Sequence, residues 1–324
     1  MALIAPGVTG LPRVRSRVSA GPLYLPTLGI AAATGWLLWF GASTLLGNGR
    51  LGTTLAGGWV ELAGPAFIAL VLAAVVCERI WPAEPRGLLA TGHVQDACFL
   101  LVYASCVVPI MTLLGVAFAA LLGTHAGWIE APWTGSWSLW AVVPLTLVAM
   151  DGANWLAHYA DHRITALWRL HAVHHSQEEL SVLTSFRAHP LVHITGFFLA
   201  TVPVLLLMGD RSVAPVLITL YVCLGTLPHA NVRWSFGPLG KVVVSPAYHR
   251  IHHAVGGPDG ANLGIVLTVW DVLASRAVFP KAGEPVSATG LAGRPLAVEQ
   301  ADPRARGAML VGQLVEPFTA PRKA

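Results

Sequence analysis

Four long apolar runs occupy the first half of the chain and restrict its fold more than any other feature. They cover about residues 23–47, 59–77, 97–122 and 137–157. Each run approaches or exceeds the roughly 20 residues that an α-helix needs to cross a lipid bilayer. Only 11% of the residues are charged, whereas a soluble domain carries about 25%. The sequence therefore predicts an all-α integral membrane protein with about four transmembrane helices.

Two shorter apolar runs, 191–208 and 213–228, are separated only by the tetrapeptide GDRS. This spacing predicts a tight membrane hairpin, which either spans the bilayer or enters it and returns. With the N-terminus in the cytoplasm, the outer loops hold only Arg50, and Arg211 lies at the hairpin tip. All other Arg and Lys residues then fall in cytoplasmic segments. Because cytoplasmic loops carry an excess of positive charge, this layout predicts that both termini face the cytoplasm.

The polar segments at the two ends are predicted to lie in the cytoplasm. Residues 1–22 hold three arginines among Pro and Gly, and residues 280–324 are rich in Pro, Gly and Ala. We expect the second segment to be a flexible tail with one or two amphipathic turns around AMLVGQLVEPF. The net charge of +4 does not indicate a nucleic-acid partner, because the basic residues are spread thinly over loops.

Histidine is concentrated in the second half of the chain. Of the 13 histidines, all except His93 and His125 lie between residues 158 and 253. These two stand alone in predicted loops, where surface positions are expected. The others include the motifs HYADH at 158–162, HAVHH at 171–175 and HRIHH at 249–253. Histidines at these spacings share one face of a helix. The predicted topology places all three faces in a cytoplasmic, histidine-rich helical cap.

The three motifs together indicate a metal site. Eight imidazoles on three helix faces would repel one another if protonated, and would be costly to bury unpaired. Metal binding removes both problems, since neutral imidazole is the commonest metal ligand in proteins. Eight or nine histidines imply two ions, because a structural site takes only four ligands. The ligand type leaves iron, copper and zinc open. A membrane setting that faces unreactive acyl chains favours two irons and oxygen chemistry.

The order HxxxH, HxxHH, HxxHH resembles the sterol desaturase/fatty acid hydroxylase superfamily of membrane di-iron enzymes. The resemblance covers about residues 140–275 and includes RAHP, HAN, SPAYHRIHH, NLG and WD. Only eight residues separate His162 from His171, which favours the sterol desaturase/hydroxylase branch over the acyl-CoA and acyl-lipid desaturases. Three departures leave the substrate subclass open: Tyr159 within the first motif, Val192 after HPL, and WDVLASRA in place of WDxLFGT.

The resemblance implies which side chains bind the metal. Its ligand set here is His158, His162, His171, His174, His175, His229, His249, His252 and His253. His189 is open between a ligand and a supporting role, and His193 is not expected to be a ligand. Four polar residues are candidates to orient the ligand rings: Asp151, Asp161, Asn231 and Asp271.

The apolar runs and the resemblance together divide the chain into four parts. They are a cytoplasmic segment at 1–22, transmembrane helices at 23–136, a catalytic domain at 137–279 and the tail at 280–324. The implied enzyme is an oxidoreductase that uses O₂ to hydroxylate or desaturate a C–H bond of a sterol-like or fatty-acyl lipid, taken from the bilayer.

Electrons for such a reaction must come from outside the chain, because no GxGxxG follows a predicted strand. A ferredoxin or cytochrome-type donor with its reductase is therefore implied. The alternative is a non-enzymatic membrane protein that binds or transports a metal or carries haem. Transporters bind their cargo near the bilayer midplane, whereas the histidines here are predicted at the cytoplasmic ends of the helices. The identity of the lipid, the donor and the oligomeric state stay open.

Overall fold

The computed structural model describes residues 65–86, 92–125, 137–201, 221–292 (except 259, 282 and 285) and 303–319. The predicted segment 1–22, the apolar run 23–47 and residues 202–220 of the predicted hairpin lie outside the described residues. The described part contains helices and three isolated β-bridges but no strand. The all-α prediction is therefore confirmed for this part of the chain.

The described residues contain nine α-helices. They are α1 Pro65–Ile80, α2 His93–Val102, α3 Val108–His125, α4 Leu139–Arg163, α5 Thr165–His175, α6 Pro190–Gly196, α7 Pro246–His252, α8 Val269–Leu273 and α9 Pro303–Thr319. A π-helical segment, Tyr103–Val107, joins α2 to α3, and a second, Phe197–Thr201, continues α6. Short 3₁₀ turns occur at Val182–Phe186, Leu227–His229 and Gly237–Lys241.

Two helical stretches are long and apolar enough to cross a membrane, His93–Gly115 and Trp140–Arg163. They correspond to the predicted spans 97–122 and 137–157. The described part of helix α1 has 16 residues, fewer than the roughly 20 that a straight span requires. Two of the four predicted spans are thus represented by helices of spanning length within the described residues.

Helix α4 carries the chain from the apolar region to the histidines. The Ser138 hydroxyl caps its first turn by accepting a hydrogen bond from Trp140 N at 3.2 Å. Its 25 residues make it about 38 Å long, which exceeds the roughly 30 Å hydrocarbon core of a bilayer. The last turns, with His158 and His162, can therefore extend past that core. Ile164 is extended and ends the helix, so that α5 turns back against it.

Asp151 in the middle of α4 holds the C-terminal part of the domain. Its carboxylate accepts hydrogen bonds from Val266 N and Leu267 N at 3.0 Å and from Trp270 Nε1 at 2.9 Å. The Trp270 ring lies against Gly152, where a Cβ atom would be only 2.9 Å from Cζ2. A larger residue at position 152 would therefore push α8 away from α4.

A buried ion pair joins the start of α2 to the loop after α5. Arg187 Nη1 lies 2.8 Å from Asp96 Oδ1, and both side chains are fully buried. The other Asp96 oxygen accepts hydrogen bonds from Gln177 Nε2 and Thr184 Oγ1. His93, expected at a surface, is instead buried at the first position of α2, where its Nε2 donates to the carbonyl oxygen of Glu179. The sequence did not predict this burial, because helix α2 begins at His93 and the apolar run begins only at residue 97.

The segment predicted as a flexible tail contains helix α9 over residues 303–319. Gln313 Nε2 of this helix donates to Gln95 Oε1 at 3.2 Å, and His189 Nε2 donates to Leu314 O at 3.0 Å. The predicted amphipathic turns thus correspond to a helix that packs against the domain. Residues 293–302 and 320–324 of the segment lie outside the described residues.

Candidate metal centre

Four elements bring nine histidines together. His158 and His162 come from the last turns of α4, and His171, His174 and His175 come from the end of α5. His229 ends a 3₁₀ turn, while α7 supplies His249 and His252 and is followed by His253. Eight of the nine side chains are buried, and His162 is partly buried. The structure therefore places in one region all nine residues that the sequence predicted as ligands.

The nine histidines form two adjacent groups. In each group, the possible ligand nitrogens lie within 4.8 Å of one another. The first group is His158, His162, His171, His175 and His252, and the second is His174, His229, His249 and His253. The rings of His175 and His253 stack at 4.5 Å between centroids and so connect the two groups. The division crosses the motifs, since HAVHH and HRIHH each contribute to both groups.

The Nε2 atoms of the second group converge on one point. His229 Nε2 lies 3.1 Å from His174 Nε2 and 2.9 Å from His249 Nε2, and the latter lies 3.2 Å from His253 Nε2. Nitrogens that bind one ion at about 2.1 Å are separated by about 3.0 Å for neighbours in an octahedron and about 3.4 Å in a tetrahedron. The observed separations match this range, and the geometry fits a shared cation.

The first group shows the same convergence together with unpartnered nitrogens. His158 Nε2 and His171 Nε2 are 3.1 Å apart. The buried Nε2 atoms of His162, His175 and His252 have no hydrogen-bond partner. Buried polar atoms are nearly always paired, so three orphaned ring nitrogens in one region are explained by a ligand that these atoms would bind. The residues of both groups therefore fit a metal ion.

Backbone carbonyl groups outside the cluster fix the protonation of three rings. The carbonyl oxygens of Leu263, Arg187 and Ala261 lie 2.9–3.1 Å from Nδ1 of His158, His174 and His252 respectively. A carbonyl oxygen only accepts, so each Nδ1 carries the proton and each Nε2 keeps its lone pair. Such partners commonly orient metal-binding histidines.

His229 is held in the same way by Ser185. The Ser185 hydroxyl donates to Thr226 O at 3.1 Å and lies 2.8 Å from His229 Nδ1. Because its hydrogen is used toward Thr226, the hydroxyl oxygen accepts a hydrogen bond from Nδ1. His229 Nε2 is therefore also left with a lone pair that faces the second group.

Burial keeps these imidazoles neutral. It lowers the pKa of His171, His174, His175, His249, His252 and His253 well below 6.5, and neighbouring histidines lower the pKa values further. Burial likewise lowers the pKa of His229 to about 3. The neutral ring is the form that binds metal ions. At neutral pH the cluster thus offers lone pairs and not positive charges.

The predicted supporting residues have different roles. Asp161 Oδ2 lies 3.7 Å from His171 Nδ1 and directly faces a ring. Asp271 does not contact a ring in these hydrogen bonds. It accepts hydrogen bonds from Leu263 N and Gly264 N and so holds the loop in which the Leu263 carbonyl orients His158. It also accepts from Trp155 and Tyr248.

Asp151 and Asn231 make their contacts away from the rings. Asp151 holds the loop before α8, as described above. Asn231 Oδ1 accepts hydrogen bonds from Glu84 N and Arg250 Nη2, and its amide donates to Glu84 O. It therefore fixes the outer side of α7 and not a histidine ring.

His189 lies outside both groups of histidines. Its Nδ1 accepts a hydrogen bond from Leu191 N and caps α6, and its Nε2 donates to Leu314 O of α9. Both ring nitrogens are thus used in contacts between helices. His193 also lies outside the groups and packs against Tyr103, with 4.6 Å between ring centroids.

The sequence did not indicate Ser185, Asp96 or the carbonyl groups of residues 187, 261 and 263. Every residue has a backbone carbonyl group, so the sequence cannot show which carbonyl oxygens orient a histidine ring. Arg187 belongs to the motif RAHP, but the motif did not indicate its partner. The structure places it against the Asp96 carboxylate.

The fold and the site define a helical membrane protein with a buried cluster of histidines at the end of a long apolar helix. Residues 143–275 match the family model described as fatty acid hydroxylase. This segment contains all nine histidines, and the match confirms the resemblance to the sterol desaturase/fatty acid hydroxylase superfamily.

Several characterised proteins are similar to this chain. The ornithine lipid hydroxylase OlsE of Rhizobium tropici is 27% identical over 64% of the chain and 64% of its own length. The alkylglycerol monooxygenases of Danio rerio and Homo sapiens are 24% and 23% identical over 66% of the chain. The chain spans 46% of the length of each of these two enzymes. No solved structure matches the chain.

Proposed function

We propose that this protein is a membrane-bound di-iron oxidoreductase that uses O₂ to hydroxylate a C–H bond of a lipid. The observation that carries the proposal is the convergence of nine histidines, eight of them buried, whose ring nitrogens form two groups. The relatives, named as a lipid hydroxylase and as monooxygenases, support hydroxylation over desaturation as the outcome.

Iron is the metal that agrees best with this chemistry. Imidazole donors alone also suit copper and zinc, but zinc has no redox chemistry. A monooxygenase must transfer electrons to O₂, so a redox metal is required and zinc is unsuitable. Iron is proposed over copper because the superfamily that the motifs resemble consists of membrane di-iron enzymes. Two groups of five and four donors support two ions, one in each group, with further coordination positions left for O₂.

When bound, the irons would supply the activation of O₂ that removes hydrogen from an unreactive C–H bond. Overall, one lipid C–H bond, O₂, two electrons and two protons give one C–OH group and one water. The residues of this chain hold and orient the centre. Leu263 O, Ala261 O, Arg187 O and Ser185 Oγ keep the ring protons on Nδ1, and burial keeps water away.

The substrate is proposed to be a long-chain lipid with a polar headgroup. Ornithine lipid and alkylglycerol, named for the relatives, share this plan. Helix α4 supports entry from the bilayer, since its apolar part leads directly to His158 and His162. We further propose that residues 137–279 are the catalytic domain, that about four spans and a hairpin hold it in the membrane, and that the N-terminus and the histidines face the cytoplasm.

Metal analysis of two histidine variants tests the proposal. The purified protein should contain about two irons per chain. His229→Ala removes a nitrogen at the centre of the second group and should lower the iron content towards one per chain. The matched control His189→Ala removes an equally buried histidine outside both groups and should keep two irons. Haem absorbance, a metal-free wild-type protein, or equal iron loss in both variants would contradict the proposed centre.

Lipid mass analysis tests the reaction. Membranes that contain the protein should convert ornithine lipid or alkylglycerol into a product heavier by one oxygen atom. His174→Ala should abolish this product while the protein still inserts into the membrane. Loss of two hydrogens instead would identify a desaturase, and full activity of the variant would exclude the cluster as the active site.

A further inference from the structure

A cavity of about 520 Å³ lies on the side of α7 opposite to the histidines. Ala247, Arg250 and Ile251 of α7 line the cavity, at positions i, i+3 and i+4. His249, His252 and His253 have the same spacing but are displaced by two residues, which corresponds to about 200° around a helix. One face of α7 therefore contacts the candidate metal centre, and the opposite face opens to the cavity.

The cavity is positively charged. Its lining includes Arg233, Lys241, Arg250 and Lys281, with Glu284 as the single acidic residue. Arg250 is paired with Glu84 at 3.4 Å, and Lys281 with Glu284 at 3.6 Å. Arg233 and Lys241 are exposed and form no ion pair within the described residues. These two cations therefore provide the excess charge.

Exposed apolar side chains lie beside this charge in the chain. Trp234 follows Arg233 and is 38% exposed, while Leu239 and Val242 flank Lys241 and are more than half exposed. The turn between them is fixed by Gly240, where a Cβ atom would overlap the carbonyl oxygen of Ser235. Aromatic residues and arginine are enriched in protein–protein interfaces. A small anion would leave these apolar groups in water, whereas a protein would cover them.

The proposed reaction needs two electrons from outside the chain, and eight of the nine histidines are buried. The cavity is separated from His249 and His252 only by the width of α7, about 10 Å for a helix. Arg250 and Ile251 also link these two histidines covalently. We propose that the cavity and its apolar rim dock an acidic one-electron carrier protein, which delivers electrons through α7. This inference rests on the proposed function, since only a redox centre needs such a partner.

Direct binding measurements test the docking site independently of turnover. The probe is a [2Fe–2S] ferredoxin of net negative charge, added to the purified full-length protein in detergent. Charge reversal in Arg233→Glu/Lys241→Glu should weaken binding about tenfold or more, because opposed charges at an interface become like charges. The matched control Arg233→Lys/Lys241→Arg keeps the charge and should bind within about twofold of wild type. Raising the salt concentration should weaken wild-type binding, since exposed charges are screened.

The outcomes separate this inference from the proposed function. Equal ferredoxin affinity in the charge-reversed and control variants would overturn the docking site, even if lipid hydroxylation is found. Ferredoxin binding that depends on the two cations would support the docking site, even if no lipid product forms. Saturable binding of inorganic phosphate without ferredoxin binding would identify a small-anion site and overturn the inference. A photoreduced neutral deazaflavin should support turnover equally in both variants.

Discussion

The ion pair between Asp96 and Arg187 offers a stringent test of what holds the site together. Both side chains are fully buried, and the two charges are 2.8 Å apart. Arg187 also donates to Val173 O, Ser176 Oγ and Gln95 Oε1. Asp96→Asn keeps the shape of the side chain but leaves the arginine without its anion. Breaking a buried pair in this way costs about 3–5 kcal/mol.

This cost should appear as a lower melting temperature. For 324 residues each kcal/mol shifts the melting temperature by about 1.5 °C, so Asp96→Asn should melt roughly 4–7 °C below wild type. The double variant Asp96→Asn/Arg187→Met leaves no buried charge, so its loss should be smaller than the sum of the single losses. The exposed pair Lys281–Glu284 provides the control, since Glu284→Gln should cost no more than about 1 kcal/mol.

Asp96→Asn should also weaken metal binding by the second group of histidines. The Arg187 carbonyl accepts the hydrogen bond from His174 Nδ1, so a displaced arginine should also lower metal retention there. Thermal unfolding in detergent and iron content per chain measure the two effects. An unchanged melting temperature for Asp96→Asn, or strictly additive losses in the double variant, would refute the view that this pair stabilises the centre.

Two further predictions concern packing and pH. Gly152→Val places a methyl group against Trp270 and should destabilise the protein by about 1–3 kcal/mol. Gly312→Ala lies inside helix α9 with no atom within 4 Å of its Cβ and should stabilise the protein by about 0.5–1 kcal/mol, because glycine is unfavourable within a helix; equal melting temperatures of the two variants would contradict this. In metal-free protein, burial lowers the pKa of His229 to about 3, while the unfolded value is about 6.5. Below pH 6.5 the unfolded chain therefore binds protons that the folded chain excludes. Stability should fall as pH decreases from 7.5 to 5.5, by up to about 1.4 kcal/mol per pH unit for each such histidine; a constant melting temperature would contradict this.

The sequence predicted the candidate ligands because two strong constraints coincide. Helical spacing places the rings of HxxxH and HxxHH on one face, and buried imidazoles are costly without a common partner. It could not predict how the rings are shared between the two groups. His171 and His175 join one group and His174 the other, because the faces of α4, α5 and α7 cross at an angle that depends on tertiary packing.

The sequence was less informative about the groups that orient the rings. Asp161, a candidate one residue before His162, lies within ion-pair distance of His171. Asp151 was a candidate to orient the ligand rings, and a carboxylate in a membrane helix is costly. It is instead satisfied by two backbone amides and Trp270. These hydrogen bonds offset the cost of placing the Asp151 carboxylate in a membrane helix. The position of Asp151 shortly before the first motif therefore did not indicate a contact with a histidine ring.

The two groups of histidines are supported by separate parts of the chain. Asp96 and Arg187 act on His174 in the second group through the Arg187 carbonyl. Asp271 acts on His158 in the first group through the loop at Leu263. The first support joins α2 to the loop after α5, and the second joins α4 to α8. No residue named here belongs to both supports. A substitution in one support should therefore weaken metal binding by its own group of histidines more than by the other group. Partial loss of metal, and not an all-or-none loss, is therefore the behaviour that this architecture predicts.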